Sequence, residues 1–144
     1  MTTCIWDGNI LYADRLVLGG VVEATDKYRI IFKGTPKETL LFIAGDLISS
    51  HRMYTYLEGG EKPDFGSEKV DFTLVTVHKN TKQIKVYYDG VHPIPANSRL
   101  IVIGSGREYA LGALATGASA IEAMKIAAKY DRYTGTEIDI VNFI

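Results

Sequence analysis

Short apolar runs separated by turn residues recur along the chain and predict a fold rich in strands. Residues 3–5 and 10–13 flank Asp7-Gly8, a pair typical of tight hairpins because glycine adopts positive φ without penalty. Residues 40–44 form a continuous apolar run, as in a strand that is covered on both faces. The same criteria predict further strands at 21–24, 28–32, 72–78, 83–88, 99–103 and 138–143.

Three other segments carry helix signals. Asp46 is a good N-cap for a helix that runs through residue 57, and a second helix is predicted from about residue 107 through 115. Ser119 and Glu122 form a capping-box pattern that opens a third helix with a small, alanine-rich buried face. The chain shows no repeated βαβ pattern, so a parallel doubly wound sheet is not expected. The element order favours one α+β domain over residues 1–144, with two antiparallel sheets packed face to face and helices outside.

Composition narrows the class of protein. The 144 residues are 47% hydrophobic and 23% charged, as in a soluble globular protein. The net charge of −1 gives no electrostatic reason to expect nucleic acid or an anionic membrane as a partner. Cys4 is the only cysteine, so no internal disulfide can form. We expect Cys4 to be a small core residue of a protein that stays in a reducing compartment. Without a secretory signal or a membrane-length apolar run, we expect a cytoplasmic protein. The three histidines show no metal spacing, and we expect no cofactor.

Five segments, in matching order, resemble proteasome β subunits and the bacterial HslV-type peptidase, which are N-terminal-nucleophile (Ntn) hydrolases. Thr2-Thr3, followed by a hairpin that ends in Ala13-Asp14, is similar to their start, and Lys27 lies in a segment similar to their lysine-bearing strand. The other three are Ile43-Ala44-Gly45 (oxyanion-hole segment), Ile103-Gly104-Ser105-Gly106 (Gly-Ser-Gly turn) and Asp131-Arg132-Tyr133-Thr134-Gly135 (Asp-x-x-Ser-Gly turn). The resemblance covers nearly the whole chain and implies the Ntn-hydrolase fold, a four-layer αββα sandwich.

The resemblance implies that Thr2 becomes a nucleophile once Met1 is removed. A threonine hydroxyl is a poor nucleophile at neutral pH and needs an adjacent base. A free α-amino group, with a pKa of about 7.7–8.0, is held beside the hydroxyl within the same residue. Lys27 would lie close to Thr2 Oγ1 and stabilise an alkoxide, and Asp14 would pair with Lys27 and hold its head in place.

The same resemblance assigns the remaining roles. Ser105, Asp131 and Thr134 would surround the terminal amine, and the backbone N–H of Gly45 would stabilise the oxyanion. An apolar specificity pocket would be lined by Val17, Ile43 and Leu47. We therefore predict a threonine-type endopeptidase that cleaves unfolded polypeptides, works as a homo-oligomeric ring or other multimer, and is supplied by a separate ATPase unfoldase.

Each feature also has a simpler explanation when it is taken alone. Thr2 could be an ordinary terminal residue, and Lys27 with Asp14 a surface ion pair of little energetic worth. Asp131 with Thr134 could be a turn that caps a backbone amide. If Met1 stays attached, the nitrogen of Thr2 is locked in an amide and the hydroxyl has no base. The alternative hypothesis is therefore a catalytically idle structural or assembly protein, such as a virion or ring scaffold component, that keeps the fold with Met1 uncleaved.

Overall fold

The computed structural model describes residues 2–17, 22–23, 27–32 and 38–144. The described residues form eleven strands and three helices, in two compact units. The first unit comprises Met1–Lys27 with Ser98–Ile144, and the second comprises Tyr28–Asn97. The predicted α+β class with two antiparallel sheets is confirmed, and the single-domain extent stays a prediction. Within the described ranges, no helix combines the length and the apolar composition that crossing a bilayer requires.

The first unit is built on a four-stranded antiparallel sheet with the strand order β10-β1-β2-β11. Its strands are β1 (Thr3–Trp6), β2 (Ile10–Asp14), β10 (Ile101–Gly104) and β11 (Ile138–Asn142). The short strands β3 (Leu16–Val17) and β4 (Val22–Glu23) pair with each other. Helices α2 (Arg107–Ala115) and α3 (Ala120–Tyr130) pack against each other and against the sheet.

The predicted hairpin around Gly8 is present, and its register positions the start of the chain. Gly8 has φ +105°, which a glycine adopts easily, and Trp6 pairs with Leu11 across the turn. In this register Cys4 pairs with Ala13, so Thr3 lies beside Asp14 at the end of β2. On the other side of β1, Thr3 pairs with Gly104 at the end of β10. Thr3 therefore lies between the ends of two strands.

Helix α3 begins with the predicted capping box. The Ser119 hydroxyl accepts the Glu122 N–H, and the Glu122 carboxylate accepts the Ser119 N–H. The buried face of the helix consists of Ala123, Met124 and Ala127, which pack with Ile5 and Ala110. Because these side chains are mostly alanine, the helix backbone comes close to β1 and β2. The residues that follow α3 are thereby held near the ends of those strands.

The second unit is a five-stranded antiparallel sheet in chain order, with one helix packed on it. The elements are β5 (Tyr28–Phe32), β6 (Glu38–Gly45), α1 (Leu47–Leu57), β7 (Phe72–His78), β8 (Ile84–Tyr88) and β9 (Pro93–Ala96). Asp46 caps α1 as predicted, since its carboxylate accepts the N–H groups of Ile48 and Ser49. A hydrogen bond from the Ser49 hydroxyl, followed by these two N–H groups, outweighs burial and lowers the pKa of Asp46. Met53 and Tyr54 bury the inner face of the helix in this unit's core.

Three parts of the strand pattern differ from the prediction, and the first is the short strand β3 (Leu16–Val17), which the sequence does not predict. The sequence does not predict β9, because Pro93 and Pro95 cannot donate to a sheet ladder. Within the described sheet β9 pairs with β8 alone, and an edge strand tolerates proline. Of the strand predicted at 21–24, Val22–Glu23 is a strand, and the other two positions lie outside the described residues.

Candidate active site

Six of the seven predicted catalytic residues lie in the first unit, and the structure brings these six together. They are Thr2 before β1, Asp14 at the end of β2, Lys27, Ser105 after β10, Asp131 at the end of α3, and Thr134 in the turn that follows. Five of the six are buried, and Ser105 is the exposed one. The hydrogen bonds among them form two clusters, one at the hydroxyl of Thr2 and one at its nitrogen.

The first cluster surrounds the hydroxyl of Thr2. This hydroxyl donates to Asp14 Oδ1 and accepts from Lys27 Nζ. Lys27 Nζ also donates to Asp14 Oδ1 at 2.9 Å and to the carbonyl oxygen of Leu16, so its three hydrogens each have an acceptor. The side chains of Lys27 and Asp14 are 4% and 0% exposed. The ion pair is therefore a buried one, and the surface-pair interpretation is wrong.

Asp14 holds this cluster together through backbone groups as well. Its Oδ1 accepts the N–H of Thr3 at 2.9 Å, and its Oδ2 accepts the N–H groups of Leu16 at 3.2 Å and Gly135 at 2.8 Å. A buried carboxylate is tolerated when charge and hydrogen bonds compensate for lost hydration, and Asp14 has both. The side chain joins the start of β1 and the turn after α3 to the end of β2, and it fixes Lys27 against the start of β1.

The second cluster surrounds the nitrogen of Thr2. Thr2 N donates to Ser105 Oγ at 3.2 Å, and Ser105 Oγ donates to Asp131 Oδ2 at 2.6 Å. The Thr134 hydroxyl donates to the same Oδ2 atom at 2.6 Å, and the Tyr133 N–H donates to Oδ1 at 3.3 Å. Burial alone would raise the pKa of Asp131, but the Ser105 and Thr134 hydroxyls and the Tyr133 N–H outweigh it and hold the pKa below its usual value. Asp131 is therefore a carboxylate at neutral pH. Its bond from the Tyr133 N–H also makes it the cap of a turn amide, which is the simpler explanation for this residue.

Two glycines allow the turn after β10 to approach the start of the chain. Gly104 has φ +106°, and a Cβ atom there would lie 2.0 Å from the carbonyl oxygen of Thr2. A Cβ atom on Gly106 would lie 2.2 Å from Thr3 Oγ1 and 2.8 Å from Thr134 Oγ1. Contacts this short are forbidden between such atoms, so both positions require glycine. The Gly-Ser-Gly pattern thus has a local physical reason, which is to place the Ser105 hydroxyl beside Thr2.

Three of the other predicted site residues, Gly45, Ile43 and Leu47, lie in the second unit. Gly45 ends β6 with φ +102°, and a Cβ atom there would lie 2.3 Å from the carbonyl oxygen of Asp71, so packing within the second unit already requires glycine. Ile43 is buried in that unit's core, and Leu47 at the start of α1 packs against this core. Val17 belongs to β3, and its side chain lies outside the described residues. The oxyanion and pocket roles of these residues stay predictions.

Cys4, in the middle of β1, has the core position that the sequence predicts. It is fully buried, and burial, with a further contribution from the Asp14 carboxylate, raises the pKa of its thiol to about 12. A thiol with this pKa is protonated at neutral pH and is a poor nucleophile. Cys4 is therefore a packing residue of the core and not a candidate nucleophile.

Thr3 adds a side-chain hydroxyl to the second cluster, and the sequence predicts no role for it. Its N–H bonds to Asp14, and its hydroxyl lies 2.7 Å from that of Thr134. A sequence signal for it exists: Thr3 is a hydroxyl residue two positions before Ile5, on the face of β1 that packs against α3. A buried hydroxyl needs a hydrogen-bond partner. A threonine at this position therefore predicts a polar contact between β1 and the helices that cover it.

Comparison with known proteins places the fold. No protein-family model matches the sequence, and no curated protein matches it in a sequence search. Among solved structures, HslV from Trypanosoma brucei is 18% identical, with a TM-score of 0.64 over 96% of each chain. The Anbu complex from Pseudomonas aeruginosa, solved as a helical assembly, is 11% identical, with a TM-score of 0.73 over 97% of this chain and 80% of the other.

A third solved structure is BPH from Thiobacillus denitrificans in complex with epoxomicin. It is 18% identical, with a TM-score of 0.66 over 100% of both chains. At these identities the similarity establishes the fold alone, which this chain shares with HslV, the Anbu complex and BPH.

Proposed function

We propose that this chain is a threonine-type peptidase that hydrolyses peptide bonds of unfolded polypeptides through Thr2, once Met1 has been removed. One observation carries the proposal: the buried hydroxyl of Thr2 accepts from the Lys27 ammonium and donates to the Asp14 carboxylate. An ordinary buried threonine needs a single neutral partner. A cation on the hydroxyl oxygen instead lowers the cost of forming an alkoxide. The fold, shared with proteasome-like peptidases, supports the same function.

Removal of Met1 would supply the base. The nitrogen of Thr2, an amide while Met1 is attached, would become an amine in the position where Ser105 Oγ now accepts from it. A neutral amine keeps a lone pair that can take the proton of its own hydroxyl. The hydrogen bond to Ser105 would orient that lone pair, and the Asp131 carboxylate behind Ser105 would stabilise the protonated amine.

In the proposed reaction, the Thr2 hydroxyl, which donates to Asp14 in the structure, turns its hydrogen to the α-amine. Thr2 Oγ1 forms a bond to the carbonyl carbon of the substrate while its proton moves to the α-amine, which gives a tetrahedral oxyanion. Collapse of the oxyanion breaks the C–N bond, and the α-ammonium returns its proton to the leaving amine. The resulting ester on Thr2 is hydrolysed by water, with the α-amine again as the base. The sequence resemblance assigns the oxyanion donor to the Gly45 N–H, and that role stays a prediction.

A homo-oligomeric working form is part of the proposal. The Anbu complex, which shares this fold, is a helical assembly. A separate ATPase unfoldase as partner and a cytoplasmic location follow from the sequence resemblance and composition.

Labelling with epoxomicin tests the proposal against the structural alternative. The protein that begins at Thr2, verified by intact mass, should form a single adduct per chain that peptide mapping locates at Thr2. The Thr2→Ala protein should remain unlabelled under the same conditions. An unlabelled wild-type protein that begins at Thr2 would favour the assembly scaffold, as would Met1 retained in protein from the native host.

A further inference from the structure

Thr3 connects the two polar clusters of the first unit. Its backbone N–H donates to Asp14 Oδ1 at 2.9 Å, in the cluster around the hydroxyl of Thr2. Its hydroxyl lies 2.7 Å from Thr134 Oγ1, in the cluster around the nitrogen of Thr2. Thr3 is fully buried, so no solvent replaces either contact. Thr3 is also the chain neighbour of Thr2, the proposed nucleophile.

The direction of the bond between Thr3 and Thr134 follows from counting hydrogens. The Asp131 carboxylate has no hydrogen to donate, so the hydroxyl of Thr134 uses its only hydrogen on Asp131 Oδ2. Thr3 must then be the donor to Thr134. Ser105 likewise uses its hydrogen on Asp131, which leaves its oxygen to accept from Thr2 N. Ser105 Oγ also lies 3.3 Å from the carbonyl oxygen of Thr2, but its contact with Asp131 Oδ2 at 2.6 Å is the shorter one. Two chains of donated hydrogen bonds therefore end on Asp131, one from Thr3 through Thr134 and the other from Thr2 N through Ser105.

The glycine at position 106 leaves room for the contact between Thr3 and Thr134. Gly106 lies against both hydroxyls, and any side chain there would overlap Thr3 Oγ1. The O–H of Thr3 occupies a lone pair of Thr134 and so turns the Thr134 hydrogen toward Asp131. Donation into a hydroxyl also polarises the bond that this hydroxyl donates, which strengthens its contact with the carboxylate.

We propose that Thr3 is a positioning residue for the peptidase reaction, which acts through Thr134 to hold Asp131, and with it Ser105, in register with the nitrogen of Thr2. This inference rests on the proposed function of Thr2. The side chain of Thr3 is fully buried, and its hydroxyl bonds to Thr134. Its contribution is to the geometry of the base and not to substrate binding, so it should affect kcat and leave KM unchanged.

The test substitutes Thr3→Val, which removes the hydroxyl and keeps the branched shape. We expect kcat of the protein that begins at Thr2 to fall about three- to tenfold, the effect of one hydrogen bond, with KM unchanged. Thr3→Ser, which keeps the hydroxyl, should restore kcat to within about twofold of wild type. In a Thr134→Ala background, Thr3→Val should cause no further loss, because its partner is already absent.

Thr76→Val is the matched control, since Thr76 is 8% exposed in β7 of the second unit and should leave kcat unchanged. If Thr3→Val does not fold, Thr3→Ala replaces it in the same series. Wild-type kcat in folded Thr3→Val, or an undiminished effect of Thr3→Val in the Thr134→Ala background, would overturn the inference while Thr2→Ala remains inactive. Full activity of Thr2→Ala would instead refute the proposed function, and this inference with it.

Discussion

Thr2→Ala is expected to reduce kcat/KM for an unstructured fluorogenic peptide by about 10⁴-fold or more in protein that begins at residue 2. The substitution removes the hydroxyl oxygen that bonds to both Lys27 and Asp14, and it leaves the α-amine in place. The amine alone is a base without a nucleophile. Initial rates, with the first residue verified by intact mass, measure the effect.

Thr2→Ser is the matched control for that experiment. It keeps the hydroxyl and the α-amine and removes only the methyl group, so kcat/KM should stay within about tenfold of wild type. Peptide hydrolysis by Thr2→Ala at the wild-type rate would exclude Thr2 as the nucleophile.

Lys27→Met is expected to lower both activity and stability. It removes the cation from Thr2 Oγ1, and we expect about a 10³-fold fall in kcat/KM because this charge stabilises the alkoxide. It also leaves Asp14 as a buried carboxylate without its counter-charge, which should cost about 3–5 kcal/mol in the free energy of unfolding. Urea denaturation and peptide hydrolysis measure the two effects on the same protein.

Two variants separate the two effects of Lys27→Met. The double variant Lys27→Met with Asp14→Asn buries no unpaired charge, so it should recover part of the lost stability while it remains inactive. Lys79→Met breaks an exposed ion pair with Glu38 and should cost no more than about 1 kcal/mol, with unchanged turnover. If turnover by Lys27→Met stays within tenfold of wild type, the Lys27 ammonium does not stabilise the alkoxide of Thr2.

Much of the fold follows from local patterns in the sequence. The Asp7-Gly8 turn, the Asp46 cap and the Ser119-Glu122 capping box are each decided by residues within a few positions of one another. Strand β9 could not be predicted in this way, because its two prolines are acceptable only at a sheet edge. Whether a strand lies at an edge depends on the whole sheet, which no local window contains.

The candidate site depends on contacts over long sequence separations, and local patterns cannot supply them. Thr2 N and Ser105 Oγ are 103 residues apart, and Asp14 and Gly135 are 121 apart. Here the family resemblance supplied the residues, and the structure supplies the burial and the hydrogen bonds. Thr3 was missed because its partner Thr134 comes close only when α3 has packed on the sheet.

A comparison of the protein with and without Met1 isolates the role of the terminal amine of Thr2. Both forms carry every side chain of the two clusters, and they differ in whether the nitrogen beside Ser105 is an amide or an amine. We predict that kcat/KM for the peptide is about 10³-fold lower when intact mass shows Met1 retained, because the hydroxyl then has no base. Equal rates for the two forms would contradict a mechanism in which Thr2 supplies both nucleophile and base.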